Sequence, residues 1–214
     1  MATEFQIFIS GTSETKAHTC AAEALRDLEL LEAELSRFRD GSDISRLNHL
    51  PPGKSTPIGD ATYDCIHLAK QIHAATNGSF DITIGPLLAV WNNPDHTPRQ
   101  PSDSELARAR AAIGMDKVLL DRDNREASVS CPDIWLDVGG IGKGYALDQM
   151  SSILQASGIN NALLDAGGST LLAFGEGPDG EGWPVGTGEP TMPAIHLQDR
   201  ALSGSGFTER GEHI

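Results

Sequence analysis

Residues 137–144 read DVGGIGKG, after an apolar run at 134–136 and before a segment with helical periodicity. This pattern predicts a strand that turns through glycines into a helix ending near Gln155. The turn would direct backbone N–H groups and the positive end of the helix dipole toward a bound anion. Lys143 favours phosphate as that anion, whereas glycines alone would equally fit a tight turn without a ligand.

The glycine stretch matches neither of two common nucleotide-binding motifs. Gly144 stands where a Walker A loop has Ser or Thr after its lysine, and the spacing is not GxGxxG. A second pair, Gly167-Gly168, also follows an apolar strand, where it could let backbone approach a ligand or form a β-bulge. The sequence therefore disfavours P-loop and Rossmann folds.

Upstream of the glycine stretch, extended and helical patterns alternate. Residues 5–9 alternate as a half-buried strand, and a long helix then stops at 40–41. A second helix at 63–72 closes at Asn77-Gly78, and a third begins at a capping box at 102–105 and ends near Gly114. The core-facing stripe of the long helix is predicted to comprise Leu25, Leu28, Leu31, Leu35 and Phe38.

The remaining segments are predicted to be strands and turns. Residues 117–121 and 126–130 form a hairpin, and 162–164 and 170–174 are further strands. Residues 48–59 and 92–101 are loops, and the glycines between 175 and 188 are turns between strands. The predicted fold class is therefore α+β, with residues 1–214 as one domain of antiparallel sheet packed by helices.

Composition excludes several classes of partner. The net charge of −14 repels nucleic acid and anionic lipid. No segment approaches the ~20 apolar residues of a membrane span, and residues 1–10 lack the apolar run of a signal peptide. Cys20, Cys65 and Cys131 lie far apart without CxxC spacing, which indicates isolated thiols.

A third segment, residues 76–87, combines a helix stop with Phe80, Asp81 and a rigid Gly85-Pro86 turn. Core packing plus a turn would explain this segment as well as a ligand site would. Taken together and in order, however, the motifs of the chain resemble the ApbE flavinyltransferases. The resemblance runs from the first residues to the end of the chain.

The resemblance rests on seven motifs in the family's order. Its Met-Gly-Thr is similar to residues 1–3, its Ser-x-Tyr-x-x-x-Ser to residues 36–42, and its Gly-x-Phe-Asp-x-Thr to residues 78–83. Its Asp-x-Gly-Gly-Ile-x-Lys-Gly is similar to residues 137–144, and later glycine pairs and Ser-Gly follow at 167–168 and 203–204. The family's His-Ile-x-Asp-Pro begins at residues 213–214, where this sequence ends.

The resemblance implies an antiparallel, T-fold-like domain that transfers FMN from FAD to a Ser or Thr hydroxyl of a protein, with Mg²⁺ and release of AMP. Lys143 would bind FAD and stabilise phosphate charge, and His213 would activate the acceptor hydroxyl. Phe38 stands in place of the family's flavin-stacking tyrosine and keeps the ring face. The implied FAD-binding residues are Met1, Phe38, Ser79, Phe80, Asp81, Asp137, Lys143 and Ile214.

The implied magnesium site is represented here by the backbone carbonyl of Gly140 alone. The family's other ligands, an Asp and a Thr, lie beyond the His-Ile motif. Two interpretations stay open: a fragment of a longer enzyme, or a short relative that binds flavin without transferring it. An acidic interaction domain whose glycines only make turns is a third alternative.

The resemblance also implies an acceptor protein as partner, such as a subunit of a redox chain. The sequence identifies neither the acceptor nor the compartment. Relatives often carry a periplasmic or lipoprotein leader, which this chain does not show. A cytoplasmic location is expected if the chain begins at its natural N-terminus.

Overall fold

The structure, a computed structural model, describes residues 3–93, 95, 97–186 and 193–204. The helices are α1 Glu14–Leu35, α2 Asp43–Asn48, α3 Asp60–Ala75, α4 Gly85–Trp91, α5 Asp103–Ala112 and α6 Gly142–Ala156, with a 3-10 helix at Met115–Lys117. The strands are β1 Phe5–Ile9, β2 Ser55–Pro57, β3 Val118–Asp121, β4 Glu126–Val129, β5 Ala162–Ala166, β6 Thr170–Phe174, β7 Trp183–Val185, β8 Ile195–Leu197 and β9 Arg200–Ser203. They fall into a terminal unit, Met1–Leu30 with Lys143–Ile214, and a central unit, Leu31–Gly142.

The terminal unit is built on a four-stranded antiparallel sheet of order β1-β5-β6-β9. Alternate residues of β5 enter different clusters: Leu164 packs with Leu154 of α6, whereas Leu163 packs with Trp183 of β7. Because side chains alternate across a strand, both faces of this sheet are covered. This is why the first three residues of β5, Ala162 to Leu164, are all apolar.

The central unit combines α2 to α5 with a three-stranded antiparallel sheet of order β2-β4-β3. Helix α3 ends at Ala75, and Asn77 and Gly78 follow with positive φ values of 51° and 82°. Such angles suit Asn and Gly, so this pair stops the helix as predicted. The capping box of Ser102 and Glu105 at the start of α5 is also confirmed.

The prediction for the end of the long helix was wrong. Helix α1 ends at Leu35, so Phe38 lies beyond it and is 73% exposed rather than packed in the core. Leu25 is 38% exposed, whereas Cys20 and Ala24 are buried. Leu28, Leu31 and Leu35 are packed as predicted, whereas nearer the start of the helix Cys20 and Ala24 take the buried positions against the sheet of the terminal unit.

Three local predictions also need correction. Residues 134–137 form no strand, because the backbone of Leu136 pairs with the Asn48 side chain and Asp137 N–H donates to the Ile82 carbonyl. The predicted loop at 48–59 contains the short strand β2 and the last residue of α2. Gly85-Pro86 opens helix α4 instead of forming an isolated turn, in keeping with the preference of Pro for the first helical turn.

The predicted fold class is confirmed: helices pack with sheets in which every strand pairing among the described residues is antiparallel. The hairpin of β3 and β4, the helix α6 and the strands β1, β5 and β6 lie where the sequence predicts them. The assignment of residues 1–214 to one domain stays a prediction. Within the described part of the chain, no helix is long and apolar enough to cross a membrane.

Candidate functional site

The two serines of the motif at 36–42 close the loop that carries Phe38. Ser42 Oγ donates to the Ser36 carbonyl at 2.6 Å and accepts from Ser45 N–H at 3.0 Å, so Ser42 also caps α2. Ser42 is buried, and buried polar groups are stable only when they are hydrogen-bonded. The spacing of these serines therefore fixes residues 37–41 as a short loop between α1 and α2.

Arg37 links this loop to the glycine stretch. Its guanidinium carbon lies 3.9 Å from the centre of the Phe38 ring and 5.1 Å from that of Trp135. Its Nε lies 3.0 Å from Asp137 Oδ2. Cation–π contacts are worth about 0.5–1 kcal/mol at exposed sites and more where water is excluded. Phe38 and Asp137, both predicted to bind flavin, are thus joined through Arg37.

The glycine stretch forms a turn that leads into α6. Asp137 Oδ1 accepts from Gly139 N–H at 2.8 Å. The N–H groups of Ile141 and Gly142 donate to the Val138 carbonyl at 3.0 and 2.7 Å. The Asp137 carboxylate is therefore oriented by Gly139 on one oxygen and by Arg37 on the other.

The segment at 79–81 lies against this turn. A Cβ on Gly140 would lie 3.4 Å from Phe80 Cε2, so the Phe80 ring packs beside the glycine. Asp137 N–H donates to the Ile82 carbonyl at 2.7 Å. Two segments separated by more than fifty residues therefore meet within the central unit.

Asp81 mainly holds its own loop in shape. Its Oδ1 accepts from the N–H and hydroxyl of Thr83 at 2.7 and 2.5 Å, and its Oδ2 lies 3.4 Å from His73 Nδ1. His73 Nδ1 donates to the Phe80 carbonyl at 2.8 Å. Ser79 is exposed at the end of this loop. A predicted FAD contact of Asp81 would thus add to existing structural bonds.

Lys143 lies in the terminal unit, where its Nζ donates to Ser169 Oγ at 2.5 Å. Ser169 follows Gly167 and Gly168, whose φ values of 70° and 68° belong to the turn between β5 and β6. The second glycine pair therefore makes a hairpin turn instead of a β-bulge. Lys143 is a partly buried, anchored cation and not a free surface lysine.

Two cavities open in the central unit, with volumes of about 450 and 530 Å³, in the usual range of small-ligand sites. Arg37, Ala89 and Trp135 line both, and Asp137 lines the larger. Gly85 is required beside them, because a Cβ there would lie 2.7 Å from Trp135 Cγ. Asp137, a predicted FAD-binding residue, thus lines the larger cavity together with its ion-pair partner Arg37.

Sequence reasoning missed several residues that shape this site. Arg37 occupies the first variable position of the motif at 36–42 and was not predicted to have a role. Trp135 was assigned to a strand. His73 and Asn48 gave no signal, since one histidine in a helix and one asparagine at a helix end are common. Their roles depend on contacts with residues distant in sequence.

Some predicted residues cannot be placed. Met1, His213 and Ile214 lie outside the described residues. Gly140, the predicted magnesium ligand, is an exposed residue. Among the residues that the structure describes, no group of three or more His, Cys, Asp or Glu side chains could hold a metal ion.

Comparison with solved structures supports the fold. The flavin transferase ApbE from Vibrio cholerae superposes with a TM-score of 0.78 at 26% identity, covering 94% of this chain and 67% of that protein. The ApbE protein from Thermotoga maritima gives a TM-score of 0.79 at 27% identity, covering 97% of this chain and 72% of that protein.

Sequence comparison gives the same family. A protein of Klebsiella pneumoniae named FAD:protein FMN transferase is 30% identical over 218 residues, 100% of this chain but 62% of that protein. A Haemophilus influenzae protein of the same name is 31% identical over 224 residues, covering 96% of this chain and 63% of its own length. The chain thus spans less than two thirds of these relatives. The family model described as the ApbE family matches residues 1–212, and the chain therefore belongs to the ApbE family.

Proposed function

We propose that this chain transfers FMN from FAD to a Ser or Thr hydroxyl of an acceptor protein. The observation that carries the proposal is the meeting of Phe38, Asp137 and the loop at 79–81 around Arg37 and Gly140. Of these, the family resemblance assigns Phe38, Asp137 and residues 79–81 to FAD and Gly140 to Mg²⁺. The names of the sequence relatives support the same reaction.

The reaction is a phosphoryl transfer without a redox change. The acceptor oxygen attacks the phosphorus on the FMN side of the FAD diphosphate, and a new P–O bond forms. The bridging P–O bond breaks, and AMP leaves with the bridging oxygen. The hydroxyl proton passes to a base, for which His213 is the proposed group. Such chemistry depends on positioning the substrates and neutralising charge.

Each proposed residue has a physical role in this scheme. The exposed face of Phe38 would stack on the isoalloxazine ring, since one face already carries Arg37. Asp137, held by Arg37 and Gly139, would accept a hydrogen bond from FAD. Lys143 would place a positive charge near the diphosphate, with Ser169 limiting its rotamers.

Magnesium fits only in part. When bound, Mg²⁺ would supply charge neutralisation on phosphate oxygens. The carbonyl of Gly140, an exposed residue, would be a suitable oxygen donor, but the described residues include no group of three or more acidic or other metal-ligating side chains that could complete the site. Most oxygen ligands would therefore have to come from FAD, from water or from residues outside the described part.

The proposal is tested by incubating the chain with FAD, Mg²⁺ and a test protein that carries the acceptor motif of the family. We expect covalent FMN on Ser or Thr by mass spectrometry and an equal amount of AMP. Lys143→Gln should slow the transfer at saturating FAD. FAD binding without AMP or adduct would identify a flavin-binding module instead. Absence of FAD binding would contradict both functions.

A further inference from the structure

Two of the three side-chain nitrogens of Arg37 have no partner among the described residues. Its Nε faces Asp137, whereas Nη1 and Nη2 make no hydrogen bond or ion pair with any residue that the structure describes. The side chain is 22% exposed and lines both cavities of the central unit. A guanidinium with this edge open can donate two parallel hydrogen bonds to phosphate oxygens.

The rest of the Arg37 side chain is held in place. Phe38 and Trp135 lie within 3.9 and 5.1 Å of the guanidinium carbon, and the ion pair with Asp137 fixes its Nε edge. A side chain that is already ordered loses little rotamer freedom when a ligand binds. The open Nη edge is therefore a prepared donor, even though Asp137 balances part of its charge.

We propose that Arg37 binds the diphosphate of FAD, an inference that rests on the proposed function. Flavin stacked on the free face of Phe38 would lie across the ring from Arg37, and the ribityl chain would carry the diphosphate past the ring edge to the Nη groups of Arg37. Local cations matter here because the whole chain carries a charge of −14. Arg99 also lines the larger cavity, but it is engaged by Glu105 at 2.7 Å.

The test compares three ligands by titration calorimetry. FAD and ADP carry a diphosphate, whereas riboflavin carries the flavin alone. Arg37→Gln should weaken FAD and ADP about tenfold or more and riboflavin less than about threefold. Arg37→Lys keeps the charge but not the paired donors. It should lose less affinity for each ligand than Arg37→Gln does, and again more for FAD and ADP than for riboflavin. Arg39→Gln is the matched control, because Arg39 is an exposed arginine of the same loop that lines neither cavity.

The outcomes separate this inference from the proposed function. If Arg37→Gln loses equal affinity for riboflavin and FAD, Arg37 acts only by supporting Phe38 and Asp137. If its affinities are unchanged, Arg37 has no role in binding. Either result overturns the inference. Wild-type protein that binds FAD through Arg37 but gives neither AMP nor an FMN adduct on the test protein would contradict the proposed function alone. Binding of none of the ligands overturns both. Circular dichroism verifies that each variant is folded. If Arg37→Gln does not fold, the affinities of Arg37→Lys decide the test.

Discussion

At the scale of single residues, the site depends on side chains with two simultaneous contacts. Arg37 joins Phe38, Trp135 and Asp137, and Asp137 in turn orients Gly139. Because each residue supports its neighbour, single substitutions here are expected to be non-additive. Phe38 is the exception, since most of its surface is free for a ligand.

Phe38→Ala should weaken riboflavin binding about tenfold, because aromatic stacking is worth about 0.5–1.5 kcal/mol beyond buried area. Phe38→Tyr keeps the ring face and should bind at least as tightly as the wild type. Flavin fluorescence quenching measures both. Because Phe38 is exposed, its removal should change the melting temperature little. Unchanged riboflavin affinity in Phe38→Ala would exclude this ring from the flavin site.

Glu34 predicts a pH-dependent stability. Burial, together with the charge of Asp43, raises the pKa of the Glu34 carboxyl above its ordinary value. A carboxyl with a raised folded pKa contributes stability below its unfolded pKa, and that stability is lost as pH rises through the folded pKa. Glu34→Gln should therefore raise the melting temperature near pH 8 by a few degrees and leave it nearly unchanged near pH 3.5.

The control for Glu34 is Glu29→Gln, which removes the same charge from an exposed position of α1. We expect no comparable gain in its melting temperature near pH 8. A gain from Glu34→Gln of equal size at both pH values would show that packing, and not ionisation, limits stability at this position.

At the scale of elements, short connections position the site more than the long helices do. The loop at 36–42 joins α1 to α2 and carries Arg37 and Phe38, and the turn at 137–142 starts α6. Each is fixed by one buried or partly buried side chain: Ser42 donates to the Ser36 carbonyl and accepts from Ser45 N–H, and Asp137 accepts from Gly139 N–H. Their shape thus depends on very few groups.

Ser42→Ala should destabilise the protein by about 1–2 kcal/mol, because it removes a helix cap and the shorter of two hydrogen bonds to the Ser36 carbonyl, the other coming from Arg39 N–H. It should also weaken riboflavin binding by releasing the loop of Phe38. Urea unfolding and fluorescence quenching measure the two effects. Ser102→Ala removes the cap of α5 and should cost about 1 kcal/mol without changing flavin affinity. Loss of flavin affinity in both variants would point to general destabilisation.

At the scale of the whole molecule, the negative net charge of the chain affects how charged ligands approach it. With 30 acidic and 16 basic residues, the chain repels anionic ligands at distances beyond the site itself. FAD is an anion, whereas riboflavin is neutral. The long-range field should therefore oppose the approach of FAD even where Arg37 and Lys143 attract it locally.

The rate of FAD association should rise a few-fold between about 10 and 150 mM salt, because the Debye length falls from about 30 to 8 Å over that range. Stopped-flow quenching measures this rate, and riboflavin, which carries no charge, should show no such trend. An FAD association rate that falls with salt would show that the local cations dominate the field at the cavity.

Features that depend on near neighbours along the chain could be predicted from the amino-acid sequence. The period of β1, the Asn77-Gly78 stop of α3, the Ser102 and Glu105 capping box and the glycine entry into α6 all follow from local backbone preferences. The ordered motifs also indicated the family, which the comparison confirms. The site residues Phe38, Asp137, Phe80 and Gly140 were chosen by that resemblance, and the structure places them in one unit.

Features that depend on residues distant in sequence could not be predicted and became visible in the folded structure. The DVGGIGKG stretch is preceded by no strand, because Asn48 and Ile82 take the backbone partners that a sheet would have supplied. Leu25 is exposed and Ala24 buried because the packed sheet selects the face of α1, which a leucine pattern cannot show. Arg37 gained its role because Trp135 and Asp137, remote in sequence, lie beside it.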